Sequence, residues 1–171
     1  TKRQYYFIAK AHSEVMLMRE ALGRPLTYCL ETFGCQMNEK QSEVVAGIMD
    51  EIGYVRKQTE DADVVIYNTC TVRENANLKV YGRLGKLHNL KKHNPDMKIV
   101  LFGCMMQEEH VVEKIKKDYP FVNLVFGTHN IFKFAELYHE MLASENQLID
   151  IWEGTDKIVE ELPTERNYTF K

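Results

Sequence analysis

Apolar positions along the chain follow two alternating periods. Short runs at Leu26 to Thr32, Val64 to Tyr67, Ile99 to Phe102 and Leu124 to Phe126 read as strands, and the longer stretches between them carry apolar residues at helical spacing. The run at Val64 is β-branched and continuous, which predicts a strand buried on both faces. The helix after the first strand presents Val44, Val45, Ile48, Met49 and Ile52 and ends at Gly53, with Asn38 and Gln41 as its capped start. A short strand is expected near Tyr54 to Lys57, and the next long helix shows Ala76, Val80, Leu84 and Leu87 before Pro95 stops it. Thr71 and Glu74 fit a capping box, which places Cys70 just ahead of that helix.

Later segments repeat the same grammar. Glu108 and Glu109 open a helix that Lys114, Lys116 and Lys117 close, in keeping with the helix dipole, and Pro120 follows. The last helix shows Ile131, Phe134, Ala135, Tyr138 and Leu142, and Leu148 to Trp152 reads as one more strand. Ahead of all this, residues 4 to 22 carry Tyr5, Ile8, Ala9, Val15, Met16, Met18 and Leu22, a helical arm closed by Gly23 and Pro25. The expected organisation is an arm over 1–25, an α/β domain over 26–152 and a charged linker over 153–171, the domain being a parallel sheet covered by helices.

Composition narrows the function. The chain has 171 residues, 44% of them hydrophobic, enough for one domain with a sizeable core. A net charge of −3 gives no general attraction to a phosphate backbone, and the lysine clusters at Lys91, Lys92 and at Lys114, Lys116, Lys117 read as solvated helix ends without a function. No apolar run approaches the length of a membrane span and the N-terminus lacks a secretory core, so the expected location is the cytosol. Neither G-x-G-x-x-G nor G-x-x-x-x-G-K-[ST] occurs at a strand-helix turn, which argues against nucleotide binding.

The four cysteines, Cys29, Cys35, Cys70 and Cys104, then carry the chemistry, as thiols, metal ligands or redox groups in a reducing compartment. Parallel strands deliver their C-terminal ends to one edge, and Cys35, Cys70 and Cys104 follow three such ends at separations of 35 and 34 residues. Three thiols at a common centre bind a metal once they lose their protons, and helix N-termini favour that loss. A set of three cysteines suits an iron-sulfur cluster with one iron left open, while a structural zinc would take a fourth ligand such as His110 or His129. Buried, inert thiols at strand ends are the remaining possibility, and for Cys29, inside the first strand, the expected one. Arg73, Asn38 and Asn68 are candidates to support the site by charge or hydrogen bond, with Asn38 also a candidate helix cap. His12, His88, His93 and His139 point to nothing specific.

"ETFGCQMN", "VVIYNTCTVRENA" and "IVLFGCMMQ", in that order and spacing, resemble the N-terminal domain of radical SAM methylthiotransferases over about residues 26–142. The "GCQMN" form resembles most the branch that methylthiolates N6-isopentenyladenosine in tRNA. The resemblance implies a flavodoxin-like, mainly parallel open sheet and an auxiliary [4Fe-4S] cluster on Cys35, Cys70 and Cys104 whose open iron carries the sulfur. It also implies a second [4Fe-4S] cluster and S-adenosylmethionine in a radical SAM domain, and an RNA-binding domain that meets the tRNA. The C-x-x-x-C-x-x-C motif of that radical domain is not in this sequence, so the expected role is one domain of a larger enzyme, unable to methylthiolate RNA alone. A cluster-free interaction module and a zinc-stabilised domain are the alternatives.

Overall fold

A computed structural model describes residues 2–34, 36–70 and 74–151, with the side chains of 36, 37 and 74–77 outside the description. The chain runs α1 (Lys2–Leu22), β1 (Thr27–Thr32), α2 (Gln36–Ile52), β2 (Val55–Arg56), β3 (Val64–Thr69) and α3 (Glu74–His93). It continues through β4 (Lys98–Gly103), a 3-10 turn at Cys104–Gln107, α4 (Glu109–Asp118), β5 (Leu124–Phe126), a second 3-10 turn at Thr128–Lys133, α5 (Phe134–Ala143) and β6 (Leu148–Asp150). The six strands form one sheet in the order β2-β1-β3-β4-β5-β6, and all five pairings are parallel. This is the open, doubly wound arrangement of the flavodoxin type, as expected from the alternation of strand and helix.

Period-two alternation assigns each strand residue to a core. Tyr28, Leu30, Val64, Ile66, Val100, Phe102, Leu124 and Phe126 pack under α2 and α5. Cys29, Val65, Tyr67, Ile99, Leu101 and Val125 pack under α3 and α4. Every residue of β3 is buried, as its unbroken apolar run required, because helices cover both faces of the central strand.

The N-terminal helix packs on the domain itself. Ile8, Ala11 and Val15 are its buried residues, and the helix lies against α2 and α5. Arg3 makes a bidentate pair with Glu136 at 2.8 Å, and the His12 ring contacts the Ile52 carbonyl at 2.9 Å, joining α1 to α5 and to the end of α2. Tyr5, Ala9, Met18 and Leu22 are exposed, so the packed stripe is narrower than the sequence pattern suggested.

Three expectations need correction. Val44 is 49% exposed, and Ser42 and Ala46 take its place on the inner face of α2 with Val45, Ile48 and Met49. Lys91 is not a solvated helix end: its ammonium donates to the Phe121 carbonyl and to Asn123 Oδ1, both at 2.8 Å. Burial pushes that ammonium down to about 8, with Lys98 adding repulsion. The last strand ends at Asp150, two residues short of Trp152, and the linker expected over 153–171 lies outside the described residues. Among the described residues no helix is long and apolar enough to cross a membrane.

Candidate metal centre

The C-terminal edge of the sheet gathers the segments that bear the cysteines. Cys70 follows the last residue of β3 and is buried, and α3 begins four residues later at Glu74. Cys104 opens the turn after β4, is partly exposed, and lies with Sγ 3.9 Å from the Thr69 carbonyl. Cys35, between β1 and α2, lies outside the described residues, as do Thr71 and Arg73, so the capping box and the expected cation fall beyond them.

Two glycines bring the segments together. Gly34, with φ +144°, sits so close to Cys70 that a Cβ on it would fall 2.5 Å from the Cys70 Cβ and 3.2 Å from its Sγ. Gly103, with φ +123°, would place a Cβ 2.2 Å from the Thr69 carbonyl oxygen and 2.8 Å from Asn68 Oδ1. Only a residue without a side chain fits either place, which lets the loop after β1 and the last residue of β4 close on the end of β3.

Buried polar side chains lie beneath this edge. Asn38 Nδ2 donates to Asn68 Oδ1 at 3.2 Å and to the Thr69 carbonyl at 3.3 Å. Asn68 Nδ2 donates in return to the Asn38 carbonyl at 2.7 Å and to Ser42 Oγ at 3.0 Å. Ser42 also hydrogen-bonds Thr32 on β1 at 2.7 Å, and Thr69 Oγ1 donates to the Phe102 carbonyl at 3.0 Å. Asn38 is the third residue of α2, inside its first turn, and its amide nitrogen is committed to β3; the capped start assigned to Asn38 and Gln41 is corrected accordingly. Ser42, Thr69 and the two glycines were missed as site residues. The signal was present in the repeated Gly-Cys pairs at 34–35 and 103–104 and in polar Asn68-Thr69 closing a fully apolar strand.

The other candidates stay apart. Cys29 is buried under α3, and burial, with Glu60 and Glu31 adding to it, pushes its thiol up to about 11, which keeps it protonated and inert. The His110 side chain is 77% exposed beside Glu108, and His129 is exposed. Among the described residues no three His, Cys, Asp or Glu gather around one point.

Fold and edge together define a doubly wound α/β domain with thiols at adjacent strand ends. The chain belongs to the family described as Uncharacterized protein family UPF0004, which matches residues 27–127 and so takes in Cys35, Cys70 and Cys104. It is 62% identical to a tRNA-2-methylthio-N(6)-dimethylallyladenosine synthase of Lachnoclostridium phytofermentans over 96% of this chain and 36% of that relative. Synthases of the same name from Clostridioides difficile and Acetivibrio thermocellus are 44% and 51% identical, over 99% and 84% of this chain and 36% and 30% of theirs. The chain thus spans about a third of the length of these relatives, and the methylthiotransferase resemblance read from the three cysteine motifs is borne out.

Proposed function

We propose that this chain is the auxiliary cluster domain of a radical SAM enzyme that methylthiolates N6-isopentenyladenosine in tRNA. Cys35, Cys70 and Cys104 ligate one [4Fe-4S] cluster and leave one iron without a cysteine. When bound, the cluster supplies the sulfur of the methylthio group. The observation that carries this reading is the close approach of Gly34, in the loop after β1, to Cys70 and of Gly103, the last residue of β4, to Thr69, which brings the cysteine-bearing segments to one edge.

The donor set fits the group. Cys70 is buried at the end of β3, the central strand, where water is kept off the sulfur. Cys104 is partly exposed, which puts the site at the surface, where a ligand can reach it. A second [4Fe-4S] cluster and S-adenosylmethionine belong to the radical domain of the complete enzyme, and its RNA-binding domain meets the tRNA. Residues 26–152 form the cluster domain, 1–25 an arm upon it and 153–171 the way to the radical domain.

Anaerobic reconstitution with iron and sulfide, followed by metal and acid-labile sulfide analysis and Mössbauer and EPR spectroscopy, tests the assignment. Cys35→Ala, Cys70→Ala and Cys104→Ala each lose the four-iron signal, and Cys29→Ala keeps it. Retention by all four variants sinks the ligand set. Metal without sulfide points instead to a zinc-stabilised domain, and no metal at all to an interaction module.

A further inference from the structure

We infer that Asn38 and Asn68 are positioning residues that set the spacing of the three cysteine-bearing segments; as a statement about a cluster, this rests on the reading above. The Asn38 amide donates to the Asn68 amide and the Asn68 amide donates to the Asn38 main-chain carbonyl, tying α2 to β3 through two residues at most 3% exposed. Their reach extends to all three segments. Asn38 Oδ1 is 3.2 Å from where a Cβ on Gly34, the residue before Cys35 in the chain, would lie. Asn38 Nδ2 holds the Thr69 carbonyl, one residue before Cys70, at 3.3 Å. That same carbonyl is the group against which Cys104 Sγ rests, and Asn68 Oδ1 is 2.8 Å from where a Cβ on Gly103 would lie.

A buried amide pair of this kind is costly to leave half satisfied, so it stabilises one arrangement and penalises others. The sheet alone fixes the strand ends through the β1–β3 and β3–β4 ladders, which stop at Asn68 and Thr69. Beyond those residues the loops have no ladder, and the amide pair takes over the alignment. Asn68 has a further tie to Ser42 at 3.0 Å, and Ser42 to Thr32 on β1, so the first two turns of α2 are moored to two strands rather than one.

The test uses the full chain with Asn38→Ala, Asn68→Ala and the milder Asn68→Ser, and Leu87→Ala as a core variant remote from the edge, on the buried face of α3. The first readout is iron release from the reconstituted protein to a ferrous chelator, well below the melting temperature of every variant. Loss of the pair speeds release roughly 10- to 100-fold and shifts the EPR spectrum, the range for groups that orient metal ligands. Leu87→Ala releases iron at the parent rate. The second readout needs no cluster: in the metal-free protein, a short bifunctional alkylating agent bridges Cys70 and Cys104, and the bridged yield falls in the asparagine variants alone.

Parental release rates and parental bridging in folded Asn38→Ala and Asn68→Ser overturn the inference. So does release from Leu87→Ala as fast as from the asparagine variants, since general destabilisation then accounts for the effect. If the parent binds no iron but bridging still falls in the asparagine variants, the cluster reading fails and the positioning role stands.

Discussion

Replacing Gly103 by Ala tests the packing of the edge directly. The residue has φ +123° and ψ −179°, a region essentially reserved for glycine, and forcing a side chain there costs about 1–3 kcal/mol. The new methyl would also fall 2.2 Å from the Thr69 carbonyl oxygen and 2.7 Å from the Thr69 nitrogen, and both obstacles are backbone of the central strand. They cannot swing aside as a lysine tip would, so relief requires β4 to part from β3, an overpacking cost of about 1–3 kcal/mol. The two costs give about 2–6 kcal/mol, a large share of the 5–15 kcal/mol typical of a domain. Equilibrium urea unfolding followed by far-UV circular dichroism measures it as a lower midpoint at unchanged slope. Gly82→Ala on α3 is the internal comparison: nothing lies within 4 Å of its added methyl, and helix propensity makes it more stable by about 1 kcal/mol. A Gly103→Ala variant within about 0.5 kcal/mol of the parent, the range of ordinary surface changes, refutes the close-approach argument.

Arg83 on α3 pairs with Glu31 and Glu60 and lies over the Phe33 and Tyr67 rings at 5.6 and 5.7 Å. Arg83→Met leaves the largely buried Glu60 without its cation and lowers stability by about 1–3 kcal/mol in urea unfolding, since the site is partly open to water. Lys91 gives a pH signature. Its folded-state value is pushed down to about 8 from an ordinary 10.5, so the unfolded chain binds the extra proton between them. The penalty of burying the ammonium is therefore full below about pH 8 and gone above about 10.5, so this residue's contribution makes stability rise with pH across that window. Lys91→Met removes that component; an unchanged slope between the parent and variant stability profiles contradicts the buried ammonium.

What the sequence determined by itself was the succession of elements. A β-branched run such as Val64 to Tyr67 has one stable environment, a central strand covered on both sides, and the helices between such runs follow from their own periodicity. The placing of Cys70 and Cys104 after strand ends was legible for the same reason, because parallel strands share a direction. Strand order was not legible, since the pairing of β1 with both β2 and β3 depends on contacts between residues far apart in the chain.

Tertiary structure also decided the polar groups. Asn38 has a local option, capping its own helix, and a distant one, bonding β3; only the packed fold brings Asn68 and Thr69 within reach. Lys91 reads as a solvated end until the Phe121 carbonyl and Asn123 are folded against it. The glycines at 34 and 103 show the same division. Sequence puts each beside a cysteine, but only the approach of Gly34 to the Cys70 side chain and of Gly103 to the Thr69 backbone shows why no side chain fits there.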